Sequence, residues 1–174
     1  MHPMRLALRS ALLGFFFRLP LVRWYAAHRM FATVPHSRRL GMKAIKAGPG
    51  RVSARVDYRE DLVGNPATGY LHAGVLTSLI DQTSGAAAFF SLDPPHFVAT
   101  LDLRIDHLRA AAPGRALIAE AESYHVTSAI IFVRCIAHDG DRTNPVASSV
   151  SCFMRMHSMA ERLPVRYALP RRGR

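Results

Sequence analysis

The longest run of apolar and small residues extends from Asn65 to Phe90, and between Asp61 and Asp93 it contains one formal charge, Asp81. Projected at about 100° per residue, positions 75–90 place Val75, Leu76, Leu79, Ile80, Thr83, Ala86, Ala87 and Phe90 on one arc. Thr77, Ser78, Asp81, Gln82, Ser84, Gly85 and Ala88 fall opposite. The spacing predicts a helix with one face for a core and a second face that is small and neutral. Such a face suits close approach of another backbone or of a partner subunit. Asp81 projects from it without a neighbouring base in sequence, and a carboxylate so placed is costly unless it is paired or used.

Elsewhere the period shortens to two. Residues 41–47 and 51–58, separated by Gly48-Pro49-Gly50, predict a hairpin. Asn65-Pro66 and Thr68-Gly69 mark a loop into the helix, which Asp93-Pro94-Pro95 ends. Beyond it Ala99, Leu101, Leu103 and Ile105 alternate with Thr100, Asp102, Arg104 and Asp106, the signature of a half-buried strand. Three further strands are expected over 115–125, 129–138 and 146–157, with a turn at Asp139-Gly140-Asp141. The order is a hairpin, one long helix, then four antiparallel strands, an α+β pattern. One helix on one sheet cannot cover both sides of either element, so association is expected.

The chain of 174 residues is long enough for one core, and its 49% apolar and 20% charged composition is that of a globular protein. Its net charge of +11 changes meaning once divided along the chain. Residues 1–51 hold ten Lys and Arg and no acid; residues 155–174 hold six Arg and one Glu. Residues 52–154, with seven basic and eleven acidic side chains, carry −4. The body is acidic and the ends are basic. No basic-aromatic interleaving or zinc-finger spacing accompanies the charge, so specific nucleic-acid binding is not expected.

The apolar stretch 11–17 is too short to span a bilayer, and Arg18 and Pro20 follow where a signal peptide would place its cleavage site. Two readings of the N-terminal segment stand: a helix packed on the domain, or a basic amphipathic segment on an anionic membrane surface. The tail from Ser158, with Pro164, Pro170 and five Arg, is expected to be extended. Cys135 and Cys152 lie in apolar runs and read as free thiols of a reducing compartment. His28, His36, His96, His107, His125, His138 and His157 lack metal-ligand spacing, and no metal site is expected. No Gly-x-Ser-x-Gly elbow is present, which disfavours a serine hydrolase.

His72-Ala73-Gly74, Asp81 nine residues after the histidine, and Thr100-Leu-Asp-Leu-Arg-Ile before Leu108-Arg109 and Pro113-Gly114 form a combination. Over residues 36–156 it resembles the hotdog-fold acyl-CoA thioesterases of the phenylacetate-pathway (PaaI) type. The resemblance implies a curled antiparallel sheet wrapped on one long central helix over 36–157, between a basic apolar extension, 1–35, and a basic tail, 158–174. It implies a homodimer or dimer of dimers with the active site formed by both chains, acting on acyl-CoA with no cofactor beyond the CoA of the substrate. In that reading Asp81 orients or deprotonates water, or attacks the thioester, and Thr100 positions the water. The N–H of Ala73 or Gly74 polarises the carbonyl, since orphan N–H groups and the positive dipole end of a helix suit an oxyanion. His72 fixes the loop or carries a proton.

Substrate contacts are expected at Asn65, Gly69, Arg109 and Ser128. The chain departs from the pattern in having Ala73 where the first of two glycines stands. Asn65 lies seven rather than six residues before His72, and Val126-Thr127-Ser128 replaces a glycine with a basic residue. A non-catalytic acyl-CoA or acyl-carrier binding module of the same fold remains the alternative. A cytoplasmic protein is expected, with its basic ends available to an anionic membrane or an acyl carrier protein.

Overall fold

The computed structural model describes residues 15–158. The first fourteen residues of the N-terminal extension and the tail from 159 lie outside the described residues. Two helices come first, α1 (Pro20–Thr33) and α2 (Pro35–Leu40), then the hairpin β1 (Lys43–Gly48) and β2 (Arg51–Val56). A short ribbon of β3 (Val63–Asn65) and β4 (Tyr70–Leu71) leads into the long helix α3 (Ala73–Phe90). Four strands follow: β5 (His96–His107), β6 (Leu117–Val126), β7 (Ile130–His138) and β8 (Ala147–Ser158). The large sheet is antiparallel throughout, in the order β1-β2-β6-β7-β8-β5. It is the hotdog arrangement, with α3 packed on one face of the sheet.

The predicted arc of α3 is the buried one: Val75, Leu76, Leu79, Ile80, Thr83, Ala86, Ala87 and Phe90 all lose their exposure. A fully buried Leu or Ile side chain is worth about 1.5–3 kcal/mol, so Leu79 and Ile80, both 0% exposed, are strong anchors. The sheet answers with small side chains. Ala54, Ala119, Ala137 and Ala147 stand in register across β2, β6, β7 and β8, all fully buried. This alanine row gives the sheet a shallow floor on which a helix can lie close.

The second face of α3 departs from expectation in two ways. Ser84 and Ala88, placed opposite the core arc by periodicity, are buried within the chain. The sheet curls far enough to take in more than half the circumference of the helix. Part of the remaining face is covered by α2: His36 Nε2 lies 3.1 Å from Ser78 Oγ, and Ser37 Oγ donates to Gln82 Oε1 at 3.4 Å. The chain therefore supplies from its own N-terminal side some of the cover that the sequence assigned to a neighbour. Helix α1 packs along β1, burying Ala27 and Phe31. Ahead of it Phe17 sits against Phe89 and Phe90, with ring centroids 6.1 and 6.0 Å apart. No helix among the described residues is long and apolar enough to cross a membrane.

Strand β5 does not keep a single phase. Plain alternation groups Ala99 and Leu101 with Leu103 and Ile105, but the pairing of β5 with β8 is irregular between Thr100 and Asp102. A bulge shifts side-chain parity by one. Val98, Leu103 and Ile105 pack on the core, whereas Leu101 is 52% exposed. The shift turns Thr100 towards α3. On its other side β5, twelve residues long, is an open edge of the sheet.

Both cysteines are free. Burial in β7 pushes the Cys135 thiol up to about 12, so almost no thiolate is present near neutral pH, while Cys152 is half-buried. With iodoacetamide at pH 8, Cys152 should be alkylated well before Cys135, which should react only after denaturation. Peptide mapping that found both modified at one rate would contradict the burial described here.

Candidate active site

The site is built on the two halves of α3 and on the strand beside it. At the helix start His72 is the N-cap, with φ −61° and ψ 134°. Its Nδ1 accepts the Gly74 N–H at 2.9 Å, and its carbonyl accepts the Val75 N–H at 2.9 Å. The cap needs glycine at 74, because a Cβ there would stand 2.9 Å from the His72 ring nitrogen. Of the two N–H groups expected to face a substrate carbonyl, that of Gly74 is thus occupied. The Ala73 N–H has no partner among the described residues. It is the orphan donor at the positive end of an 18-residue helix.

Two turns further on, Asp81 is half-buried. Thr100 Oγ1 donates to its Oδ1 at 2.9 Å, and Gln82 Nε2 approaches Oδ2 at 3.4 Å. No Lys or Arg among the described residues pairs with it, so the carboxylate is oriented by neutral donors and keeps lone pairs for a water. This contact is what the bulge in β5 produces. Eight residues of helix separate Ala73 from Asp81, about 12 Å at 1.5 Å per residue. One thioester carbonyl cannot sit within hydrogen-bond reach of both groups of the same chain.

The remaining candidates are dispersed. Asn65 closes its own turn, its Oδ1 accepting the Ala67 N–H at 3.0 Å. Gly69, at φ +68°, is held by Tyr58, whose hydroxyl donates to its carbonyl at 3.1 Å, and any Cβ would lie 3.3 Å from Pro113. These two shape the approach to the helix start. Ser128 is exposed in the β6–β7 turn. Thr100, Phe153 and Ile131 are in register, so Ser128 lies two strands away and about 10 Å beyond that row.

Arg109 belongs to a different structure. Its guanidinium grips Asp139 bidentately at 2.7 and 2.8 Å and also donates to the Asn144 carbonyl, Asn144 Oδ1 and the Ala110 carbonyl. All five donors are engaged, and none is left for a substrate phosphate. The pair ties the loop after β5 to the β7–β8 loop.

Sequence reasoning missed α2 and the cleft it makes. His36, Leu40, Leu62, Val63, Val75 and Ser78 line a space of ≈ 450 Å³ that opens beside His72 and Gly74. Its signal was present: proline at the first position of α1 and α2, and Gly41 in the left-handed conformation after Leu40. A larger groove, ≈ 690 Å³, lies on the opposite face of the sheet. Its arginines and glutamates answer one another, Arg51 and Arg134 on Glu122 and Arg142 on Glu120. It holds no carboxylate free to act on water, and the chemistry stays with Asp81.

The sequence model of the thioesterase superfamily matches residues 68–146. A Pseudomonas aeruginosa protein of known structure is 34% identical, covers 77% of this chain and 99% of its own, and superposes with a TM-score of 0.71. A thioesterase family protein from Silicibacter pomeroyi is 24% identical over 78% of this chain and 99% of its own, with a TM-score of 0.67. The PaaI protein of the Escherichia coli phenylacetic acid degradation operon is similar in fold: TM-score 0.69, 20% identity, 78% of this chain and 94% of its own. Comparison with curated proteins gives no match.

The Arg109 clamp makes a prediction in acid. Arg109, helped by the Ala112 N–H, holds the Asp139 carboxyl well below the usual carboxylate range. A folded-state value below the unfolded one, about 3.9, stabilises the protein fully above that pH and is lost as pH falls beneath it. Asp139→Asn should lower Tm at pH 7 by about 5 °C, and the difference from wild type should shrink below about pH 4. A pH-independent difference in a calorimetric series would show that the ion pair is not its source.

Proposed function

The chain belongs to the thioesterase superfamily, and on that footing we propose that it hydrolyses acyl-CoA thioesters at a site assembled by two copies. Asp81 and Thr100 come from one copy and the Ala73 N–H from the other. The observation that carries the proposal is the Thr100–Asp81 hydrogen bond of 2.9 Å, seated about 12 Å from the orphan N–H of its own helix. A carboxylate so held, with no cation pairing with it among the described residues, is equipped to take a proton from water. The open β5 edge, twelve residues long and adjacent to Thr100, is a template on which a second chain can pair.

The chemistry follows from these positions. With one Asp81 oxygen fixed by Thr100, the other accepts a proton from water as the water oxygen attacks the thioester carbonyl carbon. The carbonyl π electrons move to oxygen, where the Ala73 N–H and the positive end of the partner copy's helix stabilise the charge. Collapse breaks the carbon–sulfur bond and releases the CoA thiolate, which recovers the proton. His72 acts by capping: it orients the first turn and withdraws the Gly74 N–H from competition. The cleft beside the helix start, with Leu40, Leu62, Val63 and Val75 on its walls, suits the acyl group.

Asp81→Asn keeps volume and an acceptor for Thr100 but cannot take a proton. It should lower kcat by about 10²–10⁴ with little change in KM. Sedimentation should show the dimer retained. Full turnover by a stable Asp81→Asn dimer would remove this residue from the mechanism and favour the binding-module reading.

Ala73→Pro tests the other half. Proline is tolerated at the first position of a helix, and His72 already has the extended conformation that precedes proline, so the change deletes one N–H and preserves the helix. It should also impair kcat. Co-expressed with Asp81→Asn, it should restore about one quarter of wild-type activity, because half the dimers are mixed and each has one intact site. No recovery in purified mixed dimers would place both groups in a single-chain site.

A further inference from the structure

Helix α1 is apolar on both sides. Its inward side buries Ala27 and Phe31, which already fixes it on the domain. Its outward side and the turn before it present Phe15, Phe16, Leu19, Leu21, Trp24 and Tyr25 at 63, 52, 47, 81, 42 and 60% exposure. Trp24 stacks on His28 at 5.5 Å, so the ring is ordered while remaining on the surface. Single exposed apolar residues need no explanation, but six large ones within eleven residues of chain, four of them aromatic, do.

The charge around the strip indicates what covers it. Arg18 and Arg23 fall among these residues in sequence, Arg29 follows one turn after Tyr25, and the first 51 residues hold no acid. Among the described residues, Arg18 alone of the three has an ion-pair partner, Asp93 at 3.1 Å. A second copy is a poor occupant, since a two-fold contact would bring two positive strips together. Pairing at the β5 edge would also leave α1 free: α1 lies along β1, five strand spacings away, about 24 Å measured along the sheet. An apolar strip with Trp and Tyr, framed by arginine, matches a surface that is apolar beneath and anionic above.

We propose that the outward face of α1, with Phe15 and Phe16 ahead of it, docks the protein on an anionic lipid surface. The aromatic and leucine side chains enter the headgroup boundary and the arginines remain at the phosphates. The two readings offered for this segment then cease to compete, because one face of α1 packs on β1 while the other stays available for lipid. The inference stands apart from the thioesterase mechanism and uses none of its residues.

Trp24 is the only tryptophan in the chain, so its emission reports the contact directly in the full-length protein. Vesicles of phosphatidylcholine containing phosphatidylglycerol should shift that emission to the blue. Vesicles of phosphatidylcholine alone should do so at least about tenfold less effectively, and 1 M salt, which cuts the screening length to about 3 Å, should weaken the anionic response. Leu21→Ser with Tyr25→Ser should reduce partitioning at least about tenfold without changing Tm, since both side chains point away from the core. Arg23→Gln with Arg29→Gln should remove the preference for anionic vesicles.

Failure of anionic vesicles to move the emission would overturn the proposal, as would an equal response to neutral ones. A lipid-free, concentration-dependent shift abolished by the double serine variant would identify a second copy as the occupant instead. A response to an acidic acyl carrier protein but not to vesicles would identify a protein partner.

Discussion

The structure depends on enclosing a long neutral helix in a sheet that has to curl to reach around it. Helix α3 has one half-buried carboxylate in 18 residues and no other charge with which to face water. Its stability therefore comes from burial, and the alanine row across β2, β6, β7 and β8 is what allows the sheet to approach closely enough. Once the helix is enclosed, any polar group left on it needs a local partner. Gln82 and Ser78 find theirs on α2, and Asp81 finds Thr100. The hydrogen bond at the centre of the proposed chemistry is thus a consequence of how the helix is packed.

The same helix sets a second constraint through its length. Its N-terminal N–H groups and its mid-point carboxylate are rigidly about 12 Å apart, so the two polar features of α3 cannot converge on one atom within a chain. A second copy removes the difficulty if its helix start approaches Asp81, and β5 offers an open edge alongside. The larger groove on the far face of the sheet shows why volume alone is a poor guide to the site. It is roomy, but its arginines and glutamates already satisfy one another.

Charge is distributed as though two tasks were kept apart. The acidic body holds Asp81 and the Arg109–Asp139 clamp, whose partners are internal. The basic N-terminal side lines its arginines along an exposed aromatic strip.

The sequence by itself determined the elements whose periodicity survives in the fold. The core arc of α3, its single carboxylate, the hairpin and the four later strands follow from local side-chain chemistry; the α+β pattern was legible in their order, and the hotdog arrangement was implied by the resemblance that the motifs around His72 and Asp81 carry. Helices α1 and α2 were signalled by their leading prolines, yet which face of α1 would be buried depended on β1, remote in sequence. The grouping of Thr100 with Asp81 was not readable from alternation, which put Leu101 on the core side with Leu103 and Ile105. A bulge of one residue reversed the phase, and bulges arise from the pairing of β5 with β8 and not from either strand alone. Arg109 likewise looked available for a substrate until the fold brought Asp139, thirty residues away, onto its guanidinium. Periodicity is a property of neighbours along the chain, whereas register, the curl of the sheet and the choice of ion-pair partner are decided by contacts between residues that only folding brings together.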